Sequence, residues 1–288
     1  MLPNALAERL AAAGFGPADP AAFEPLPGGS TNRVWRWHRP EGDLALKLAD
    51  PEAATPLFPN DPETEFATLQ ALQGTGLAPA PVALLAGPPA LLLYRYAPGR
   101  PGGPEEAGSL LARLHALPPP PNLRRLAQGG AALLAQGEAM LGSGPAVDLL
   151  RALKPRLPDL PPLPDLPPLP ARFLHGDPVP ANIVTDGGAA LLIDWLCPAL
   201  GDPCEDLACY LSPAMQIAYG AGPLSAADEA LFLARYGAPE IARRLARLRS
   251  AFHWRMAAYC LWREAYSPAL ARLARQGFEA ELAALRAG

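Results

Sequence analysis

The chain has 288 residues, half of them hydrophobic and 18% charged, with a formal net charge of -4. That composition suits one large domain or two modest lobes, each with its own core, and is that of a globular rather than a disordered chain. The mild acidity lacks the basic surplus of a nucleic-acid binder, and no run reaches the ~18–20 apolar residues that span a bilayer.

Leu2, Leu6 and Leu10 stand at helical spacing, so a short amphipathic helix is expected over residues 2–13. Glu8 and Arg9 within it break the apolar run that a secretory signal needs. Strands are expected at 33–38 and 44–48, rich in Val, Trp and Leu, and a helix near 62–73. Asp61 stands as that helix's N-cap, with Pro62 at its first position. A further apolar strand at 90–96 runs into the turn signal Ala97-Pro98-Gly99. Beyond Gly103 the pattern turns helical. Leu110, Leu111, Leu114 and Leu117 share one side of a helix over 104–117, and helical periodicity continues to about 154.

The 38 prolines are unevenly spread and concentrate at 118–121 and 158–170, where Pro-Asp-Leu-Pro-Pro-Leu occurs twice in succession. An extended, stiff connector is expected over 158–170. Short strands follow at 173–175, 183–184 and 190–193, and from Ala226 onward the chain is Ala-, Leu- and Arg-rich and helical. The expected fold is α+β, with a small β-rich N-terminal lobe (1–97) and a large, mainly helical C-terminal lobe (98–288). Cys197, Cys204, Cys209 and Cys260 form no CxxC pair and no zinc-ligand spacing with histidine. They read as buried thiols of a cytoplasmic protein.

The chemistry-bearing stretch is His175-Gly176-Asp177-Pro178-Val179-Pro180-Ala181-Asn182, followed by Leu192-Ile193-Asp194-Trp195. Phosphoryl transfer needs a carboxylate to orient the attacking hydroxyl and oxygen ligands to hold Mg²⁺ against the phosphates. An Asp-x4-Asn loop before a strand-borne Asp supplies both from one compact unit. Asp177 would be the base, and Asn182 and Asp194 the metal ligands.

These motifs, with Gly201-Asp202-Pro203-Cys204-Glu205-Asp206-Leu207-Ala208 after them, resemble the aminoglycoside phosphotransferase and choline kinase superfamily over roughly residues 23–270. The resemblance implies a two-lobed, protein-kinase-like fold, ATP and Mg²⁺ as co-substrate and cofactor, and a small-molecule hydroxyl acceptor. It implies no nucleic-acid, membrane or protein partner. Gly28, Gly29 and Ser30, ahead of the first strong strand, would cover the phosphates with backbone N–H groups. Lys47, in an apolar strand, matches the family's phosphate-binding lysine, and Glu65 the helix glutamate that pairs with it; Glu63 would face elsewhere. Arg95 and Tyr96 fall where the lobes join and family members bind adenine through backbone. His115 and His175 read as packed supports and Asp206 as a scaffold for the loop. Pro178 and Pro180 depart from relatives and remove two backbone donors from the loop.

For the acceptor, the sequence points to an amino sugar or amino alcohol. Phe252, Met256, Tyr259, Trp262 and Tyr266 fall at helical spacing, as a core stripe or as an aromatic wall for an ammonium group. Glu205 and Glu264 are the carboxylates a polyamine would want. Two rival readings stand beside the kinase: a nucleotide-binding pseudokinase that regulates a partner, and a protein kinase. No Ala-Pro-Glu-terminated activation segment follows the motifs, which disfavours the latter.

Overall fold

The computed structural model describes residues 4–17, 19–26, 32–50, 52–154, 169–220 and 222–287. By internal contacts the chain divides into two compact units. Unit 1 comprises Met1–Arg100 with Val184–Pro198, and unit 2 comprises Pro101–Ile183 with Ala199–Gly288. The segment bearing Asp194 therefore belongs with the N-terminal strands, although it follows them by about half the chain.

Unit 1 opens with helix α1 (Asn4–Ala12) and then strands β1 (Phe23–Pro25), β2 (Arg33–Trp37) and β3 (Leu44–Leu48). Helix α2 (Pro62–Ala71) and strands β4 (Pro81–Leu85) and β5 (Leu91–Arg95) follow. The strands form one sheet in the order β1-β2-β3-β5-β4. Successive side chains alternate between the faces. One face gathers Trp35, Trp37, Leu44, Leu46, Leu48, Leu91 and Leu93 with Leu6 and Leu10 of α1 into a closed core. Lys47 and Leu92, paired across β3 and β5, point to the other face, toward α2. With both faces covered, every residue of β3 is buried, so its sequence lacks the polar alternation of a half-exposed strand.

Helix α2 begins as the sequence predicts. The Asp61 carboxylate accepts the Glu63 and Thr64 amides, both at 3.1 Å, and Pro62 occupies the first turn. Such a cap contributes about 1 kcal/mol.

Unit 2 is mostly helical: α3 (Pro104–Ala116), α4 (Gly130–Met140), α5 (Pro145–Ala152), α6 (Cys204–Leu211), α7 (Pro213–Tyr219), α8 (Ala226–Tyr236), α9 (Pro239–Tyr266) and α10 (Ala271–Ala287). The 28-residue α9 is about 42 Å long at 1.5 Å per residue, and α4, α5, α6 and α10 pack along it. Two glycines permit close helix contacts. A Cβ on Gly108 would stand 2.4 Å from the Phe232 carbonyl, and one on Gly137 would stand 2.3 Å from the Trp254 ring. A small sheet centres on Ala199–Gly201, parallel to Arg124–Arg125 and antiparallel to Arg172–Leu174.

The sequence reading passed over β1, β4, α6 and α7. All are short, and α6 and α7 are separated by one residue, Ser212, which caps α7 through Met215 N. The four cysteines are free and buried. Among the described residues no helix is long and apolar enough to cross a membrane. Residues 158–168 of the expected proline connector lie outside the described residues, as do Gly28, Gly29 and Ser30.

Candidate active site

In unit 1, three separated stretches meet at one ammonium group. Lys47 Nζ donates to Glu65 Oε1 at 2.9 Å and Oε2 at 2.8 Å, and also to Asp194 Oδ1. Glu65 Oε1 also accepts the Trp195 amide at 3.1 Å, tying α2 to the Asp194 segment. Lys47 and Glu65 are buried, whereas the Asp194 side chain is 34% exposed. Burial alone would lower the Lys47 pKa, but the carboxylates of Asp194 and Glu65 outweigh it and hold it above the usual lysine range. Glu63, exposed on the same helix, takes no part. Asp194 has φ of 65°, the left-handed region that non-glycine residues seldom occupy. Such local cost concentrates where a side chain must be aimed.

In unit 2, the Asp177 loop is held from behind. Asp206, fully buried, accepts the His175 amide and the Gly176 amide, each at 2.8 Å, and His115 Nε2 at 3.1 Å. His115 Nδ1 lies 2.9 Å from the Tyr236 hydroxyl. Burial disfavours charge on Asp206, yet the bonds to His115 and the His175 amide more than compensate and hold its pKa below the ordinary aspartate value. Asp206 thus braces the loop, and His115 and His175 are packed supports. Gly176 turns the chain with φ of 85°. The Asn182 amide then donates to the Asp177 carbonyl at 2.9 Å, leaving its own oxygen as an acceptor. Pro180 opens the single 3-10 turn Pro180–Asn182, so its missing N–H falls where a helix start has no partner for one.

A buried lysine–glutamate pair with an aspartate beside it in unit 1, and separately a braced Asp-x4-Asn loop in unit 2, are the kinds of groups that phosphoryl transfer uses. The sequence model of a family described as "phosphotransferase enzyme family" matches residues 22–249. The chain belongs to that family.

Solved structures agree on the fold of this phosphotransferase-family protein. A choline/ethanolamine kinase family protein from Mesorhizobium loti is similar at 21% identity and a TM-score of 0.69, covering 99% of each chain. Choline kinase LicA from Streptococcus pneumoniae is similar at 15% identity and TM-score 0.68, again over 99% of each. An aminoglycoside phosphotransferase in ternary complex with AMP-PNP and hygromycin B is similar at 14% identity and TM-score 0.67, over 98% of each. At such identities these likenesses establish the mixed fold, a sheet-bearing N-terminal part and a helical C-terminal part. No curated protein matches the chain significantly in sequence.

The remaining residues singled out from the sequence fall as follows in the phosphotransferase-family fold. The amides of Arg95 and Tyr96 donate to the Ala80 carbonyl at 2.8 Å and the Asp43 carbonyl at 3.0 Å. A contact to a base from this stretch is therefore left to carbonyl oxygens or to later residues. The Arg95 guanidinium points back to the Glu41 and Gly42 carbonyls, at 3.1 and 3.3 Å.

The two acidic residues considered for an amine are already ion-paired. Glu205 is gripped by Arg255, at 2.6 and 3.2 Å, and Glu264 by Arg275, at 2.8 and 3.0 Å. The aromatic stripe divides. Phe252, Met256 and Tyr259 are buried, while Trp262 is half-buried and stacks at 4.9 Å on Tyr266, which is 72% exposed.

Three features escaped the sequence reading. The Cys209 thiol lies 3.9 Å from Asp177 Oδ1. Arg263 donates to the Tyr259 hydroxyl at 2.6 Å. Burial disfavours its charge, but its neighbours, Tyr259 first and Asp177 among them, keep its pKa raised. Asn32, directly after the glycine-rich stretch, exchanges amide bonds with Asn60 at 3.0 and 3.1 Å and accepts the Asp50 amide at 2.8 Å. Residues adjacent to a motif and contacts across 28 or 32 positions leave no periodic trace, so only the asparagine after the glycines offered a signal.

Proposed function

We propose that this phosphotransferase-family protein moves the γ-phosphoryl group of ATP, with Mg²⁺, to a hydroxyl of a small molecule. The observation that carries the reading is the convergence of Lys47, Glu65 and Asp194 from three stretches of unit 1 on one buried point. That arrangement keeps the ammonium charged and aimed, as phosphate binding requires.

The donor set fits a hard, oxygen-seeking cation. In unit 1, Asp194 commits Oδ1 to Lys47 and is half-buried, which leaves Oδ2 for a metal. In unit 2, Asn182 uses its NH₂ group inward and keeps its amide oxygen. Such a cation brings phosphate charge neutralisation when bound, and it takes one or two protein ligands beside the phosphates. Among the described residues no group of three or more His, Cys, Asp or Glu side chains forms a free-standing metal site.

Lys47 would hold phosphate oxygens, with Glu65 keeping it extended. Asp177 would orient the acceptor hydroxyl and take its proton as the new O–P bond forms. The bond between the γ-phosphorus and the bridging oxygen breaks with its electron pair going to ADP. Because the transition state is loose, orientation outweighs early proton removal. The pseudokinase reading is disfavoured by the presence of Lys47, Asp177, Asn182 and Asp194 together. Four buried free thiols suit a reducing compartment such as the cytoplasm.

An amino alcohol as acceptor is the second reading. The outward Trp262–Tyr266 stack favours it, since a ring face attracts an ammonium by about 0.5–2 kcal/mol. The names of the choline and ethanolamine kinases above point the same way. The test is ADP formation from Mg·ATP across aminoglycosides, choline, ethanolamine, thiamine and fructosamines, with Asp177→Asn as control. Acceptor-dependent ADP lost in the control supports the kinase. Acceptor-dependent ADP that survives Asp177→Asn removes Asp177 from its role.

A further inference from the structure

Unit 2 has a partly open cavity of about 200 Å³ among α6, α7, α8, α9 and α10. This is several times the ~30 Å³ share of one water molecule. Cys209 is part of its wall, and the Cys209 thiol touches the Asp177 carboxylate at 3.9 Å. Through Cys209 the cavity adjoins the loop that bears Asp177, although no residue of that loop lines it. Leu211, Leu245, Phe252 and Met256 make much of the wall apolar. Such a wall desolvates a polyhydroxylated sugar without compensation.

The charges of the lining are unevenly committed. Its two carboxylates are both taken. Glu281, fully buried, accepts the Ser212 hydroxyl, the Ala214 amide at 3.1 Å and His253 Nδ1 at 2.6 Å. Glu229 is ion-paired with Arg249. The nitrogen side has capacity left. Arg249 spends one terminal nitrogen on Glu229, and its other N–H groups have no partner among the described residues. His253 is fixed by Glu281 through Nδ1, so its Nε2 edge is held in one direction, again without a described partner.

We propose that the acceptor is a hydroxycarboxylic acid with a compact apolar body, and that this cavity takes its acid end, bound by Arg249 and His253. The inference rests on the kinase reading and deepens it. An ammonium-bearing acceptor meets no free carboxylate in this lining, whereas a carboxylate meets the Arg249 guanidinium, the Nε2 edge of His253 and an apolar wall.

The experiment has two arms. Calorimetric titration of the Asp177→Asn protein with short hydroxycarboxylic acids, their amides and the matching amino alcohols reads the cavity without turnover. ADP formation by the unaltered protein with the same compounds reads the kinase. The acids are expected to bind and to be phosphorylated, and the amides and amino alcohols to bind far more weakly. Arg249→Gln and His253→Gln should each raise KM for the acid about tenfold or more, with a smaller change in kcat and none in KM for ATP. Leu245→Trp, which fills the cavity, should abolish acid binding; the two polar variants carry the test if it does not fold. Absent acid binding, binding indifferent to Arg249 and His253, or binding without phosphorylation each overturns the inference. Phosphorylation of amino alcohols in its place leaves the kinase reading standing alone, and no ADP from any compound removes that reading as well.

Discussion

Both units bury a charged cluster, and the two are closed to different degrees. In unit 2, Asp206 has no exposed surface, and its two oxygens are used by two backbone amides and a histidine that is itself backed by Tyr236. In unit 1, Lys47 and Glu65 are equally buried, but the third member, Asp194, is one-third exposed and held at a left-handed φ. A cluster with both oxygens engaged and no exposed surface is scaffold; one with an oxygen and an edge left over can receive something. On the proposed reading the difference separates residues that hold the fold from residues that would meet a ligand, even though both kinds belong to recognisable motifs.

Substitutions can break this comparison, and the largest effect is expected at the loop that Asp206 braces. Asp177→Asn should lower turnover by about 10²–10⁴ with ATP affinity retained, which single-turnover kinetics and nucleotide titration will measure. Asp206→Ala should act on the fold. It orphans two amides and His115, at a cost of about 3–5 kcal/mol, seen as a lower denaturant midpoint.

Asp194→Ala should do the reverse. Turnover should fall about 10²–10³-fold and metal-dependent nucleotide binding should weaken, while the unfolding midpoint stays near that of the unaltered chain. Equal losses of stability in Asp194→Ala and Asp206→Ala would erase the distinction between the clusters.

The pH dependence sharpens the comparison further. Asp206 has a folded pKa below its unfolded value of ~3.9. Its contribution is therefore complete above that unfolded value and is lost as pH falls through the lower folded pKa. Asp206→Asn should flatten the acid limb of the stability profile measured by denaturant titration between pH 2 and 5, on the scale of those carboxylate values. The smallest effect belongs to Glu63→Ala, within about 0.5 kcal/mol, because that side chain is exposed; a large loss there would mean the helix had been read in the wrong register.

Much of this was legible in the chain because its signals are local. The loop from His175 to Asn182, the Asp61-Pro62 helix start and the Lys47 strand each announce themselves within a few residues. Choosing Glu65 over Glu63 rested on the family resemblance, with helical periodicity turning Glu63 to another face. What escaped was set by distant partners. Glu205 looked available for an amine until Arg255, 50 positions on, was found to hold it. The cavity wall draws on residues from Ala208 to Ala284, apolar at some positions and charged at others, and no window of sequence contains that pattern.

The interrupted course of unit 1 also bears on how the protein is made. Lys47 and Asp194 are 147 positions apart. At 5–20 residues per second, a ribosome adds the aspartate roughly 7–30 s after the lysine. For that interval the nascent strands hold a lysine and a glutamate destined for burial but lack the segment that seals them in. An N-terminal fragment ending near residue 100 should then be a poor folder on its own and a client for chaperones, the segment that carries its third carboxylate still to be translated.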